Sequence, residues 1–189
     1  MNRLPKATIF AALIVVGQLA TSPAVAAHWE IYDNGAWTQN GTVMFTGATA
    51  VTVAATPLPC SSVILSWTLN SGVFSITGAL FGTSMACADI TPLNLPWGVC
   101  PPVSITGSTS VRVTFGAIGC PNATALKTAM PPTSCLGGVA NGTMTNANPN
   151  GPPTSFNALA FTTTFTSGAC TMFKTNPSMI SSKPIRAVP

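Results

Sequence analysis

Any catalysis in this chain would have to be assembled from one histidine, His28, three acids, Glu30, Asp33 and Asp89, and six cysteines, Cys60, Cys87, Cys100, Cys120, Cys135 and Cys170. A Ser-His-Asp triad could draw only on His28 and one of the three acids, and no G-x-S-x-G turn is present to expose a nucleophilic serine. Glycoside hydrolysis needs two carboxyls about 5 to 10 Å apart. Glu30 and Asp33 are near in sequence, but their odd spacing sends them to opposite faces of an extended strand. Cleavage after Ala27 would make His28 a new N-terminus able to hold copper through its amine and ring, yet that chemistry needs a second histidine, which the chain lacks. No two cysteines stand at C-x-x-C spacing, so zinc would require four thiolates from scattered positions. Phosphate-cradling loops and cofactor fingerprints do not occur. The expectation is a protein without enzymatic activity, cofactor or metal.

One segment stands apart: Cys87-Ala88-Asp89-Ile90-Thr91-Pro92-Leu93-Asn94-Leu95-Pro96-Trp97. A strand ends in a cysteine and enters a proline-punctuated loop that carries an acid. The favoured reading is structural, with Leu95, Pro96 and Trp97 closing one end of a β core. The functional alternative makes Trp97 an exposed aromatic for carbohydrate or hydrocarbon contact, and Asp89, Leu95, Pro96, Trp97 and Trp37 are the candidate interaction residues.

The elements that must position these residues are strands. Val63, Leu65, Trp67 and Leu69 alternate with Ser62, Ser66 and Thr68, the period of a half-buried strand. After Asn70-Ser71-Gly72, Phe74, Ile76 and Leu80 are assigned to one face and Ser75 and Thr77 to the other, so the two runs form a hairpin. Val111 to Phe115 is another strand, with Val103 to Thr106 as its expected partner; Val51 to Val53 and Leu159 to Phe165 are two more. Ala123 to Met130 is expected to supply one short helical turn. Elsewhere β-branched residues, Gly and Pro interrupt every window long enough for a helix. The fold class expected is all-β, an antiparallel sandwich or barrel, stapled by disulfides.

Residues 1–27 have the three zones of a secretory signal peptide: Arg3 and Lys6, the apolar run Ala7 to Val16, and small residues ending in Ala24-Val25-Ala26-Ala27. Cleavage is expected after Ala26 or Ala27. The apolar run is about ten residues, below the roughly twenty that span a bilayer, and no later stretch is long enough, so no transmembrane segment is expected after cleavage. Export puts all six cysteines in an oxidising compartment, where disulfides are the expected state. Cys60 with Cys87 and Cys100 with Cys120 each flank a candidate hairpin, and Cys135 with Cys170 follows by elimination.

Beyond residue 27 the chain is expected to hold a single β domain over 28–173. Residues 141–157, rich in Asn, Gly and Pro, are expected to form a long surface loop, and 174–189 a poorly ordered, proline-containing basic tail. Five cations against three acids give this part a net charge of +2, so a nucleic-acid partner is not expected. Charged residues are only 5% of the chain, against about 25% in a typical soluble domain. The surface must therefore be wetted by Thr, Ser, Asn and Gly, and it has few charges to oppose adsorption or strand-to-strand self-association. The triplets Asn40-Gly41-Thr42, Asn122-Ala123-Thr124 and Asn141-Gly142-Thr143 would matter only in a host that glycosylates them, whereas the leader looks bacterial.

The order of signal peptide, alternating strand with Cys60, hairpin, Cys87-x-x-Ile90 and Leu95-Pro96-Trp97 resembles the PraB-like family of small exported bacterial activators of alkane oxidation. The resemblance covers about Gly41 to Phe115. Cys100, Cys120, Cys135 and the 141–157 segment have no counterpart in it. It implies a non-enzymatic secreted or cell-surface protein that aids growth on hydrocarbon, through emulsification or contact with the oil phase, and it brings no catalytic residues. Trp97 and Trp37 are the expected interfacial residues. The alternative function is a structural or adhesive matrix protein whose strands pair between molecules.

Overall fold

The computed structural model describes residues 27–82, 87–102, 109–117, 120, 122–129, 132–147, 153 and 155–189. The expected signal peptide therefore lies almost wholly outside the described residues, as does Val103 to Thr106. The strands are β1 (His28–Asp33), β2 (Ala36–Thr38), β3 (Gly41–Val53), β4 (Thr56–Asn70), β5 (Val73–Phe81), β6 (Ile90–Leu93), β7 (Trp97–Gly98), β8 (Ser110–Phe115), β9 (Thr124–Ala129), β10 (Pro132–Thr145), β11 (Ala158–Thr164), β12 (Cys170–Ser181) and β13 (Ile185–Val188). All pairs among them are antiparallel. No helix occurs among the described residues, and hence none long and apolar enough to cross a membrane.

One large sheet runs in the order β6-β9-β10-β11-β12-β3-β4-β5-β7, with β8 also paired to β10. It curls into a half-barrel, and its far edge is clasped back onto β8. The clasp is a short run of backbone hydrogen bonds: Cys100 N–H to Thr114 C=O at 2.8 Å, Gly116 N–H to Gly98 C=O at 3.0 Å, with Val99 opposite Phe115. The inward residues of these strands supply the apolar core. Aromatic rings thread it in sequence: Trp29 lies 6.0 Å from Phe74, Phe74 5.4 Å from Trp67, Trp67 6.2 Å from Phe115, Phe115 5.1 Å from Phe161, and Phe161 5.2 Å from Phe173. Tilted and edge-on ring pairs of this kind contribute about 0.5–1.5 kcal/mol each beyond their burial.

A second, three-stranded sheet, β13-β1-β2, joins the two ends of the described chain. Its inner face is Trp29, Ile31, Ile185 and Ala187, all at most 1% exposed and part of the same core. This corrects the expectation of a poorly ordered tail over 174–189. Lys174 to Ser181 continue β12 along β3, and Ile185 and Ala187 alternate inward although prolines stand among their neighbours. Proline is tolerated at a strand's start and at a bulge, which are the positions of Pro184 and Pro177.

Two further expectations change. In place of the expected helical turn over Ala123 to Met130, Thr124–Ala129 is a strand between β6 and β10, since pairing on both edges outweighs the helical preference of three alanines and a leucine. Val111 to Phe115 is a strand as expected and pairs with β10, and its expected partner Val103 to Thr106 lies outside the described residues. The 141–157 segment is not all loop, because Asn141 to Thr145 complete β10 between β8 and β11.

The hairpin of β4 and β5 forms as expected with one difference. Val63, Leu65, Trp67, Leu69, Phe74 and Ile76 are buried, but Leu80 is 67% exposed. Trp67 pairs with Ile76 while Ser66 pairs with Gly78, so Thr77 is an extra residue, a β-bulge. Beyond it the inward set becomes Ala79 and Phe81, and Leu80 turns outward.

Disulfides join Cys60 to Cys87, Cys100 to Cys120 and Cys135 to Cys170, with Cα separations of 5.4, 5.1 and 5.2 Å. No cysteine is left free. Three such bridges belong to an oxidising, non-cytoplasmic environment.

Candidate functional site

His28, Glu30 and Asp33 all lie on β1 of the small sheet, and each acid is tied to a basic side chain. Arg186 meets Glu30 at 2.6 Å, Lys183 meets Asp33 at 2.8 Å, and His28 Nε2 lies 3.5 Å from Glu30. These contacts follow from the β1–β13 register, which sets Glu30 opposite Arg186 and His28 opposite Val188. Both carboxylates are thus held as ion-pair partners of basic side chains. The guanidinium of Arg186 also lies over the Trp37 ring, 4.4 Å from its centroid, and Tyr32 meets Trp37 edge-on at 5.2 Å. One face of Trp37 is therefore covered by a cation, and its part as an open apolar platform is corrected accordingly. Among the described residues no group of three or more His, Cys, Asp or Glu stands close enough to hold a metal ion.

The Cys87 to Trp97 segment is anchored in the core at Cys87, Ile90 and Trp97, while Ala88, Thr91, Asn94 and Pro96 are exposed. Trp97 is fully buried, opposite Ile76 in β5, and its Nε1 donates to the Leu93 carbonyl at 2.8 Å. Leu95 is half-buried against the core, Pro96 is exposed and its carbonyl accepts from Asn122 Nδ2 at 3.0 Å, and Asp89 is half-buried with its carbonyl accepting from Ala129 N–H at 3.1 Å. Trp97 is thus a core residue, as the structural reading expected, and not an interfacial aromatic. The reason is its place in β7, which passes between β5 and the clasp and turns the indole inward.

Exposed apolar side chains gather instead on the convex face of the large sheet. Ala158 pairs with Ile180, Ile180 with Thr46, Thr46 with Ile64, and Ile64 with Leu80, so these five residues form one row across β11, β12, β3, β4 and β5. Ile180 is 48% and Leu80 67% exposed. The adjacent row carries Met44, 50% exposed, paired with Ser66. Phe156, 58% exposed, stands just beyond the Ala158 end. No charged side chain belongs to either row. Beside Met44 a shallow depression of about 330 Å³ is lined by Ser66, Thr68, Thr77 and Lys183 among others, and Lys183 is already engaged by Asp33.

Met44, Ile180 and Phe156 were not singled out from the sequence, and Leu80 was assigned to the face of Phe74 and Ile76, which is buried. A signal for the first two was present. Val43-Met44-Phe45 and Met179-Ile180 are runs of apolar neighbours within strands, and the period of two forces one member of each adjacent pair outward. Phe45 and Met179 are fully buried, so Met44 and Ile180 face solvent.

The comparisons with protein families, curated proteins and solved structures find no match for this chain.

Proposed function

We propose that this is an exported, non-enzymatic protein that adsorbs at the boundary between water and an apolar phase and assists growth on hydrocarbon, with the convex stripe of Met44, Ile64, Leu80, Phe156 and Ile180 as the adsorbing surface. The observation that carries the reading is that stripe: four side chains about half or more exposed, spread along one face from β11 to β5, and set among Thr, Ser, Gly and Ala with no charge in either row. Contact with oil there costs little desolvation. A contact withdrawing about 200 Å² of apolar surface from water would contribute about 5 kcal/mol. The resemblance of Gly41 to Phe115 to PraB-like activators of alkane oxidation agrees with it, and the three disulfides suit an exported chain.

The adhesive alternative has weaker support. Self-pairing through strands uses long open edges, whereas the outer strands β6 and β2 have four and three residues, and the outer edge of β13 is capped by the side chains of Asn146 and Asn157.

The test is the interfacial tension of hexadecane against water with the purified protein and with Met44→Gln/Leu80→Gln/Ile180→Gln, whose changes are all on the exposed stripe. The folded triple variant is expected to adsorb several-fold more weakly. Equal surface activity of the two proteins, at equal folded concentration, would remove the stripe from the proposal and the hydrocarbon reading with it.

A further inference from the structure

A second feature lies on the same convex face, on strands that are polar where the stripe is apolar. Asn141 of β10 pairs with Thr162 of β11, and Thr162 with Lys174 of β12. One step along, Arg112 of β8 pairs with Thr143, and Thr143 with Ala160. A shallow groove of about 450 Å³ has Asn141, Thr143, Ala160, Phe161, Thr162 and Pro177 in its walls; neither cation lines it, and Arg112 and Lys174 flank it through their pairing with Thr143 and Thr162. Its floor is low because Ala160 is small; Gly142 shares the inward face of Ala140 and Met144, where a Cβ would collide with the Ala160 carbonyl and the Phe161 side chain.

The charge of this groove is unbalanced. Arg112 and Lys174 are exposed, and neither takes part in an ion pair or side-chain hydrogen bond among the described residues. The entire chain has three acids. Glu30 and Asp33 are held by Arg186 and Lys183 on the other sheet, and Asp89 precedes β6. No carboxylate is therefore available near the groove to neutralise it. The hydrogen-bonding groups are rich in donors as well: the Thr114 hydroxyl bonds to Asn141 Oδ1 at 3.2 Å, which leaves the Asn141 amide N–H groups to donate outward beside the hydroxyls of Thr143 and Thr162. Two cations and several neutral donors without a nearby acid select an anion.

Spacing narrows the class of anion. Arg112 and Lys174 stand on strands three steps apart in the sheet, about 14 Å at roughly 4.8 Å per step, which is too wide for one phosphate or sulfate to touch both backbone positions and suited to an extended chain with repeated acidic groups. The side chains between them are hydroxyl, amide and methyl, which suit sugar rings. A lipid bilayer would be met by large exposed apolar side chains next to the cations, and the one large apolar side chain in the groove wall, Phe161, is only 3% exposed. We propose that the groove between β8 and β12 binds a carboxylate-bearing polysaccharide, with Arg112 and Lys174 each holding a uronate carboxylate and Asn141, Thr143 and Thr162 hydrogen-bonding the sugar hydroxyls. This is independent of the hydrocarbon reading, because it uses none of the stripe residues.

The test is binding of the purified, disulfide-bonded protein to sodium alginate, with neutral dextran and phosphatidylglycerol vesicles as the other two probes. Alginate is expected to bind and dextran not, with binding weakened by salt. Arg112→Gln/Lys174→Gln should lower alginate affinity at least ten-fold with an unchanged melting temperature, since both side chains are exposed and unpaired. Ala160→Leu, which raises the groove floor and keeps both charges, should also lower it. Retained affinity in either folded variant, equal binding to dextran, or binding to the vesicles without binding to alginate would each overturn the proposal.

Discussion

Asn157 holds Ile185 by both of its backbone groups: Oδ1 accepts the Ile185 N–H at 2.6 Å, and Nδ2 donates to the Ile185 carbonyl at 2.8 Å. One side chain thus stands in for a neighbouring strand along the outer edge of β13, while Asn146 Oδ1 accepts the Ala187 N–H at 3.0 Å two residues on. Asn157 Nδ2 also reaches the Thr145 carbonyl, which links this edge to β10. Asn157 is 1% exposed and Ile185 fully buried, so the groups left behind after truncation would be unsatisfied away from water. We expect Asn157→Ala to cost about 2–4 kcal/mol, from two or more buried groups losing their partners at about 1–3 kcal/mol each. Denaturant unfolding checks this. Removing residues 184–189 should cost more, since it uncovers Trp29 and Ile31 as well; a truncated protein with an unchanged unfolding midpoint would show that the small sheet contributes nothing.

The bridge between Cys135 and Cys170 ties the start of β10 to the start of β12, at the end of the sheet where β11 does not lie between them. Its closed loop spans 35 residues, the longest of the three. By loop-closure entropy its removal as Cys135→Ala/Cys170→Ala should destabilise by about 3–4 kcal/mol, slightly more than removal of Cys100 and Cys120. Thermal unfolding of the two double variants gives the order, and peptide mapping without reduction should recover the three pairs.

Trp97 and Trp37 should respond oppositely to change. Trp97→Ser would empty the largest kind of side chain from a fully buried site and strand the Leu93 carbonyl, at about 3–5 kcal/mol. Trp97→Phe should keep most of the packing and lose only the hydrogen bond. Trp37→Ser gives up one Arg186 contact and one edge-on ring on a half-buried strand, about 1–2 kcal/mol. Surface activity should follow the folded fraction in the Trp97 variants. A folded Trp97→Ser protein with reduced adsorption would return that indole to the interface.

What could be read from the sequence was whatever a strand shows by itself. The β4–β5 hairpin shows alternation up to Ile76 and a turn tripeptide, and the Cys60–Cys87 bridge follows from which ends that hairpin brings together. What could not be read depends on partners far away in sequence. Ile185 to Val188 is four residues after a proline and gives no periodic signal, yet it pairs with β1 some 150 residues earlier, at Glu30 and Arg186. Ala125 to Leu126 looks helical until β6 and β10 take both of its edges, although Leu126, Lys127, Thr128 and Ala129 do alternate buried and exposed. The groove at Arg112 and Lys174 was invisible for the same reason, since those residues meet only through β10 and β11.

The bulge at Thr77 offers the most direct test of how Leu80 reaches the surface. In β5 the inward residues are Phe74 and Ile76 before the bulge and Ala79 after it, with Thr77 exposed and its hydroxyl 3.0 Å from that of Thr68. Deleting Thr77 alone would place Gly78 directly after Ile76, which is the order the partner strand already demands, since Ser66 pairs with Gly78 and Trp67 with Ile76. Every other residue of the hairpin keeps its face. The expected cost is about 1–2 kcal/mol, from the lost hydroxyl contact and the reduced local bend, with adsorption at oil unchanged because Leu80 still points outward. Deleting Ser75 instead leaves Thr77 in place and shifts Phe74 against its partner Leu69, so one side of the strand must turn over. That variant should fail to fold. If the two deletions are equally harmful in denaturant unfolding, the register assigned to β4 and β5 is wrong, and the outward placement of Leu80 goes with it.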